Sequence, residues 1–171
     1  MKEILYNYDF LEEKQINNFI LRSKIIIINS KEEILIGKGN NTYQLIGGHV
    51  EENETFDQCI VREIKEETGI DIPYEKRNPF LVIKYMCKDY PTLGQNTKYI
   101  NNYYVIKSDL RPDYSKINLT ENEKEGMFEL KYIHKDKIID ELNKNLDICH
   151  KKNVVKDTLE VISEYIENHM N

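Results

Sequence analysis

Glu63, Glu66 and Glu67 stand at i, i+3 and i+4, so on a helix their carboxylates share one face. Like charges at those spacings repel and weaken the helix that carries them. Arg62 offsets part of this by pairing with Glu66 at i, i+4. Three hard oxygen donors on one patch are what Mg²⁺ or Mn²⁺ prefers. The chemistry this spacing suggests is therefore that of a divalent cation bound above the helix. The bland alternative is a solvated acidic face, the commoner fate of a charge run. Two neighbours shift the balance. Phe56, Ile60 and Ile64 form an apolar face, so this helix packs on a core, and Gly47-Gly48 precede it, where backbone can approach a ligand closely.

The elements that must position these groups are legible as strands and helices. Thr55 with Gln58 three residues on makes a capping box, and Gly69 stands where a helix starting there would stop near Thr68. Ser23 to Asn29 reads as a buried strand around four consecutive isoleucines. Ile34 to Lys38 is its hairpin partner across a polar turn, and Tyr43 to Ile46 is a short strand that Gly47-Gly48 interrupt. Phe80 to Cys87, Lys98 to Lys107 and Phe128 to Ile133 are further strands, and Lys135 to Asn143 is a short helix. Val154, Val155, Thr158, Leu159, Ile162, Tyr165 and Ile166 recur at helical spacing near the end. Residues 1–19 read as an extension with a strand at Glu3 to Tyr8 and a polar turn or helix at Asp9 to Asn18. The pattern is that of one α/β domain over residues 1–171, a mixed sheet covered on both faces.

The stretch from Gly48 to Ile70, GHVEENETFDQCIVREIKEETGI, resembles the Nudix box G-x5-E-x7-R-E-U-x-E-E-x-G-U, U being a bulky aliphatic residue. Gly48, Glu54, Arg62, Glu63, Ile64, Glu66, Glu67, Gly69 and Ile70 fill every defined position. The resemblance implies an α/β/α sandwich with the box helix at the catalytic site. It also implies hydrolysis of a diphosphate linkage in a nucleoside diphosphate derivative, with one to three divalent cations. Glu63, Glu66 and Glu67 would be metal ligands, joined by the carbonyl of Gly47. Arg62 and Glu54 would form a pair that orients the helix. Ile46 departs from the family's frequent Pro before the glycines and removes no ligand. The family also often uses a later glutamate as ligand or base. Glu123 is taken for that role in the acidic loop Glu121 to Gly126, with Glu121, Glu125 and a box glutamate as alternatives.

Arg22, Lys38 and His49 are candidate substrate contacts, the first two as phosphate-binding cations flanking a hairpin. Surface solubility is the competing reading for both cations. Tyr85, Tyr99, Tyr103 and Tyr104 could stack on a base or fill the core. The formal net charge of -6 argues against bulk DNA or RNA binding and leaves a small phosphate-bearing substrate open. Three cysteines without a CxxC pair suggest neither a zinc knuckle nor a disulfide framework. No apolar run is long enough for a membrane span and the N-terminus lacks a signal-peptide pattern, so the expected location is the cytoplasm. The leading function is a nucleotide pyrophosphohydrolase. The alternative is a nucleotide-sensing module without turnover, which has no need of a costly acidic cluster. Substrate choice is expected to reside outside the box, in loops such as Asp89 to Thr97.

Overall fold

Ile25 to Ile28 are buried on both sides of their strand, which places that strand inside a sheet covered on two faces. The computed structural model describes residues 1–169. Its strands are β1 (Lys2–Tyr6), β2 (Asn18–Ile28), β3 (Glu33–Gly39), β4 (Thr42–Gln44), β5 (Ile46–His49), β6 (Leu81–Cys87), β7 (Thr97–Lys107) and β8 (Glu129–His134). Its helices are α1 (Phe56–Thr68), α2 (Glu121–Glu125), α3 (Lys135–Ile148) and α4 (Lys152–His169). The sheet runs β1-β6-β7-β2-β3-β4, with β5 branching from β2 and β8 from β3. The β1–β6 and β2–β7 pairs are parallel and the others antiparallel, so the sheet is mixed.

Side chains alternate across a strand, and the four isoleucines divide accordingly. Ile25 and Ile27 pack with Ile60 and Ile64 of α1, while Ile26 and Ile28 pack with Ile138 and Leu142 of α3 and Val155, Val161 and Ile162 of α4. Each fully buried isoleucine stabilises by about 1.5–3 kcal/mol relative to exposure. The result is the expected α/β/α sandwich. Among the described residues no helix is long and apolar enough to cross a membrane.

Several boundaries differ from the sequence reading, each for a tertiary reason. Gly47 and Gly48 do not interrupt a strand. They lie within β5, paired with Lys24 and Ser23 of β2. The stretch Glu121 to Gly126 is not an open loop but a short helix, because Thr120 and Glu123 form a reciprocal capping box. β2 begins at Asn18 instead of Ser23, since its first half is held by the parallel ladder to β7. β1 stops at Tyr6, where its pairing with β6 ends. The polar segment after it holds a single 3-10 turn, Glu13–Gln15. The short helix expected to end at Asn143 continues to Ile148, carried by the burial of Leu142 and Asn145.

Candidate functional site

α1 is fixed at both ends before any side chain on it can act. The Thr55 hydroxyl accepts from the Gln58 N–H at 3.2 Å and the Gln58 side chain accepts from the Thr55 N–H at 2.8 Å. Gly69 closes the helix at φ 70°, a left-handed conformation that costs glycine little. The Ser23 hydroxyl donates to the Phe56 carbonyl at 2.8 Å, tying the start of the helix to β2. Asp113 N–H and Asn118 N–H donate to the Thr68 and Glu66 carbonyls, so the following segment clamps the helix end.

Arg62 then organises the acidic residues. A guanidinium has five N–H donors, and five oxygen acceptors surround this one. Nε and Nη2 grip Glu54 at 2.9 and 3.0 Å, Nη1 reaches Glu63 at 2.8 Å and Glu66 at 3.0 Å, and Nη2 also donates to the His49 carbonyl at 3.0 Å. Loop, strand end and helix are thus cross-linked by one side chain. Burial raises the proton affinity of Glu54, but the hydrogen bonds from Arg62 and from Glu51 N–H outweigh it and hold its carboxyl below the usual range. The same contacts, with Glu54 foremost, keep Arg62 charged beyond its ordinary value.

Glu63 and Glu67 are 8% and 3% exposed. Burial pushes both carboxyls up, for Glu67 well above the ordinary value, with Glu63 adding like-charge repulsion. Glu67 accepts from the Gly47 N–H at 3.0 Å. Glu63 lies directly over Gly48, where an added Cβ would overlap its Oε1. Gly47 has φ 127°, and a Cβ there would overlap the Ser23 carbonyl. The two glycines are thus required by close approach of β2 and of Glu63.

A cleft of about 450 Å³ is lined by Gly47, Gly48, Glu63, Glu66, Glu67 and Glu123, among others. It joins a second cleft of about 360 Å³, which shares Gly47, Gly48, His49, Glu67, Thr120 and Glu123 with it. Of the three late glutamates, Glu123 faces the box and raises the proton affinity of Glu63 and Glu67. Glu121 is exposed and paired with Lys124, and Glu125 is exposed. Among the described residues no three His, Cys, Asp or Glu side chains converge on a single point. Glu54, Glu63 and Glu66 are instead gathered round Arg62. A cation would compete with Nη1 for Glu63 and Glu66, while Glu67 already faces the cleft beside the Gly47 backbone. Three carboxylates on one wall are the hard oxygen donors that Mg²⁺ or Mn²⁺ fits.

Arg22 and His49 are brought together, as cross-strand partners whose side chains meet at 3.2 Å, and both line the smaller cleft. Lys38 is not among its lining residues and sits over the Tyr43 ring. Sequence reasoning missed Lys24, Asn101 and Asp157, which line the same cleft. Burial lowers the Lys24 pKa, opposed by nearby Glu67. Burial raises Asp157, which accepts from the Tyr85 hydroxyl at 2.7 Å. A usable signal existed for all three. Each is a polar residue in register with an apolar face: Lys24 with Ile26 and Ile28, Asn101 with Tyr103, Asp157 beside Val154 and Val161. Tyr103 and Tyr104 are core residues on opposite faces of β7, whereas Tyr99 lies under the Arg22 guanidinium and Tyr85 reaches Asp157.

A family model for the NUDIX domain matches residues 20–146. Over 100 residues the chain is 29% identical to the NAD-capped RNA hydrolase NudC of Vibrio vulnificus, covering 54% of this chain and 34% of that protein. It is 30% identical over 105 residues to NudC of Vibrio cholerae, covering 55% and 34%. The chain thus spans about a third of the length of these curated relatives. Among solved structures, a NUDIX hydrolase from Nitrosomonas europaea superposes with a TM-score of 0.59 at 15% identity, covering 85% of this chain and 89% of that one. A MutT NUDIX hydrolase from Burkholderia pseudomallei gives 0.52 at 17% identity, covering 70% and 86%. At such identities the likeness speaks for the fold alone.

Proposed function

The chain belongs to the NUDIX family, and on that premise we propose that it hydrolyses the diphosphate linkage of a nucleoside diphosphate derivative with the help of Mg²⁺ or Mn²⁺. The observation that carries the reading is that Glu63, Glu66, Glu67 and Glu123 line one cleft, with Arg62 spending all five donors on holding the helix that bears three of them. Glu63, Glu66 and Glu67, with the Gly47 carbonyl, are the residues that would hold the cation. A divalent cation there would neutralise the diphosphate and polarise a water at neutral pH.

The remaining work falls to the chain itself. Arg62 and Glu54 keep the box helix in place, so that the carboxylates need no reorganisation when substrate arrives. Glu123 lines the cleft from a separate element, α2, and in this reading accepts a proton from the attacking water. Its present bonds to Thr120 N–H and hydroxyl, at 2.6 and 2.8 Å, are local and exposed, and can be exchanged. Arg22 and Lys24 supply positive charge along the same cleft for substrate phosphates.

A nucleotide-binding module without turnover is the second reading, favoured by the hold of Arg62 on two of the carboxylates. The experiment that separates them is a panel of nucleoside triphosphates, nucleotide sugars, dinucleotides and NAD-capped RNA, each with Mg²⁺ and with Mn²⁺, products resolved by chromatography. The capped RNA is included because the curated relatives are named for it. Cleavage at a diphosphate linkage that chelator abolishes supports the proposal. Saturable binding without product from any compound supports the module.

A further inference from the structure

The smaller cleft extends past the box to an end that the hydrolytic reading leaves unused. Its floor there is β7, where Asn101 pairs with Arg22 of β2 and Ile83 of β6. Asn101 is 3% exposed, and its Oδ1 is buried without a hydrogen-bond partner among the described residues. Buried polar atoms are nearly always paired, and those that are not call for a reason. The amide also faces the Tyr103 hydroxyl, a contact that opposes the upward push of burial on that phenol. Asn101 is itself one of the residues lining the cleft, so this unpartnered oxygen belongs to the cleft wall.

A second acceptor stands nearby. Asp157, from α4, lines the same cleft and accepts from the Tyr85 hydroxyl with one oxygen. Tyr85 is paired with Tyr99, two residues before Asn101, so Asp157 is held above the same patch of sheet. Tyr103 and Val154 add apolar surface. Two acceptors beside apolar walls suit a flat group with N–H donors. An amino group offers two donors and a hydroxyl one, whereas a carbonyl oxygen would gain no hydrogen bond from the Asn101 oxygen or the Asp157 carboxylate.

We propose that Asn101 and Asp157 form a subsite for the exocyclic amine of the substrate's heterocycle, so that this protein selects amino-bearing bases over their keto counterparts. This rests on the nucleotide reading above and adds the moiety that the far end of the cleft receives. Arg22 and Lys24, between this end and the box, would meet the phosphates.

The test uses the full chain, Mg²⁺ and uncleavable α,β-methylene diphosphates of adenosine and inosine, then of cytidine and uridine, titrated by calorimetry. At least one amino member should bind roughly 5- to 100-fold more tightly than its keto partner, the range set by leaving a buried acceptor unpaired. Asn101→Leu should bring that ratio close to one, and Asn101→Asp, which keeps an acceptor, should retain the preference. If Asn101→Leu does not fold, the wild-type ratios and Asn101→Asp decide. Equal affinities within both pairs, a keto preference, or no binding of any of the four overturns the proposal. So does a ratio that survives Asn101→Leu, which would mean that Asn101 serves a trapped water. Hydrolysis in the nucleotide panel without base preference would leave the catalytic reading standing and this inference refuted. Preference without turnover would do the reverse.

Discussion

Replacing Glu67 by Gln should make the protein more stable and nearly inactive. The carboxylate is 3% exposed, and burial together with Glu63 pushes its proton affinity well up. Glutamine keeps an oxygen for the Gly47 N–H, now bonded at 3.0 Å, and removes the buried charge. An ionised group so placed costs several kcal/mol in desolvation, of which Lys24 and the Gly47 N–H return a large part. The net gain is about 1–2 kcal/mol, which for a chain of this size raises Tm by about 2–8 °C. The pH dependence has a definite sign. A carboxyl whose folded pKa lies above its unfolded value binds more protons when folded, so wild-type stability falls as pH rises from the unfolded value through the folded one. The advantage of Glu67→Gln should therefore be largest near and above neutrality and vanish in acid. In exchange the variant would lose a charged ligand for the cation that neutralises the diphosphate, and removing one such electrostatic contact costs about 10²–10³ in kcat. The assays are thermal melts across pH in metal-free buffer and steady-state kinetics on whichever nucleotide the panel identifies. A lower Tm at neutral pH, or wild-type kcat, would refute the reasoning about Glu67.

Arg62→Ala should cost about 2–4 kcal/mol, somewhat under the figure for a fully buried pair because Arg62 is partly exposed. Arg62→Lys should recover little of it, since one ammonium has three donors for five acceptors, and denaturant melts of both variants check this. Glu123→Gln should lower kcat far more than it changes KM, while Glu121→Gln and Glu125→Gln, on exposed glutamates, should be nearly silent; kcat for all three decides it. Gly48→Ala should displace the Glu63 carboxylate, because the added Cβ overlaps Oε1. Its activity should fall with far-UV circular dichroism unchanged, and Gly47→Ala, at φ 127° against the Ser23 backbone, should unfold the chain at a lower temperature still.

Local chemistry in this chain was legible from the sequence alone. The ends of α1 were, because Thr55, Gln58 and Gly69 act through bonds to their own immediate neighbours. The pairing of Arg62 with Glu66 was, because helical geometry alone puts i and i+4 together. The two-sided burial around Ile25 to Ile28 was, because a continuous apolar run has no face to show to water. What remained hidden depends on where the sheet brings distant segments. Gly47 and Gly48 read as an interruption of the strand because their need for small side chains comes from Ser23 and Glu63 across the structure. Glu123 could not be told from Glu121 and Glu125, since only the placement of α2 beside the box turns one of them to the cleft. Lys24, Asn101 and Asp157 belong to three elements spread along the chain, and each alone resembles a flaw in an apolar pattern. They become one polar cleft only when β2, β7 and α4 pack on the same face, since burial and register are properties of the assembled sheet and not of any segment within it.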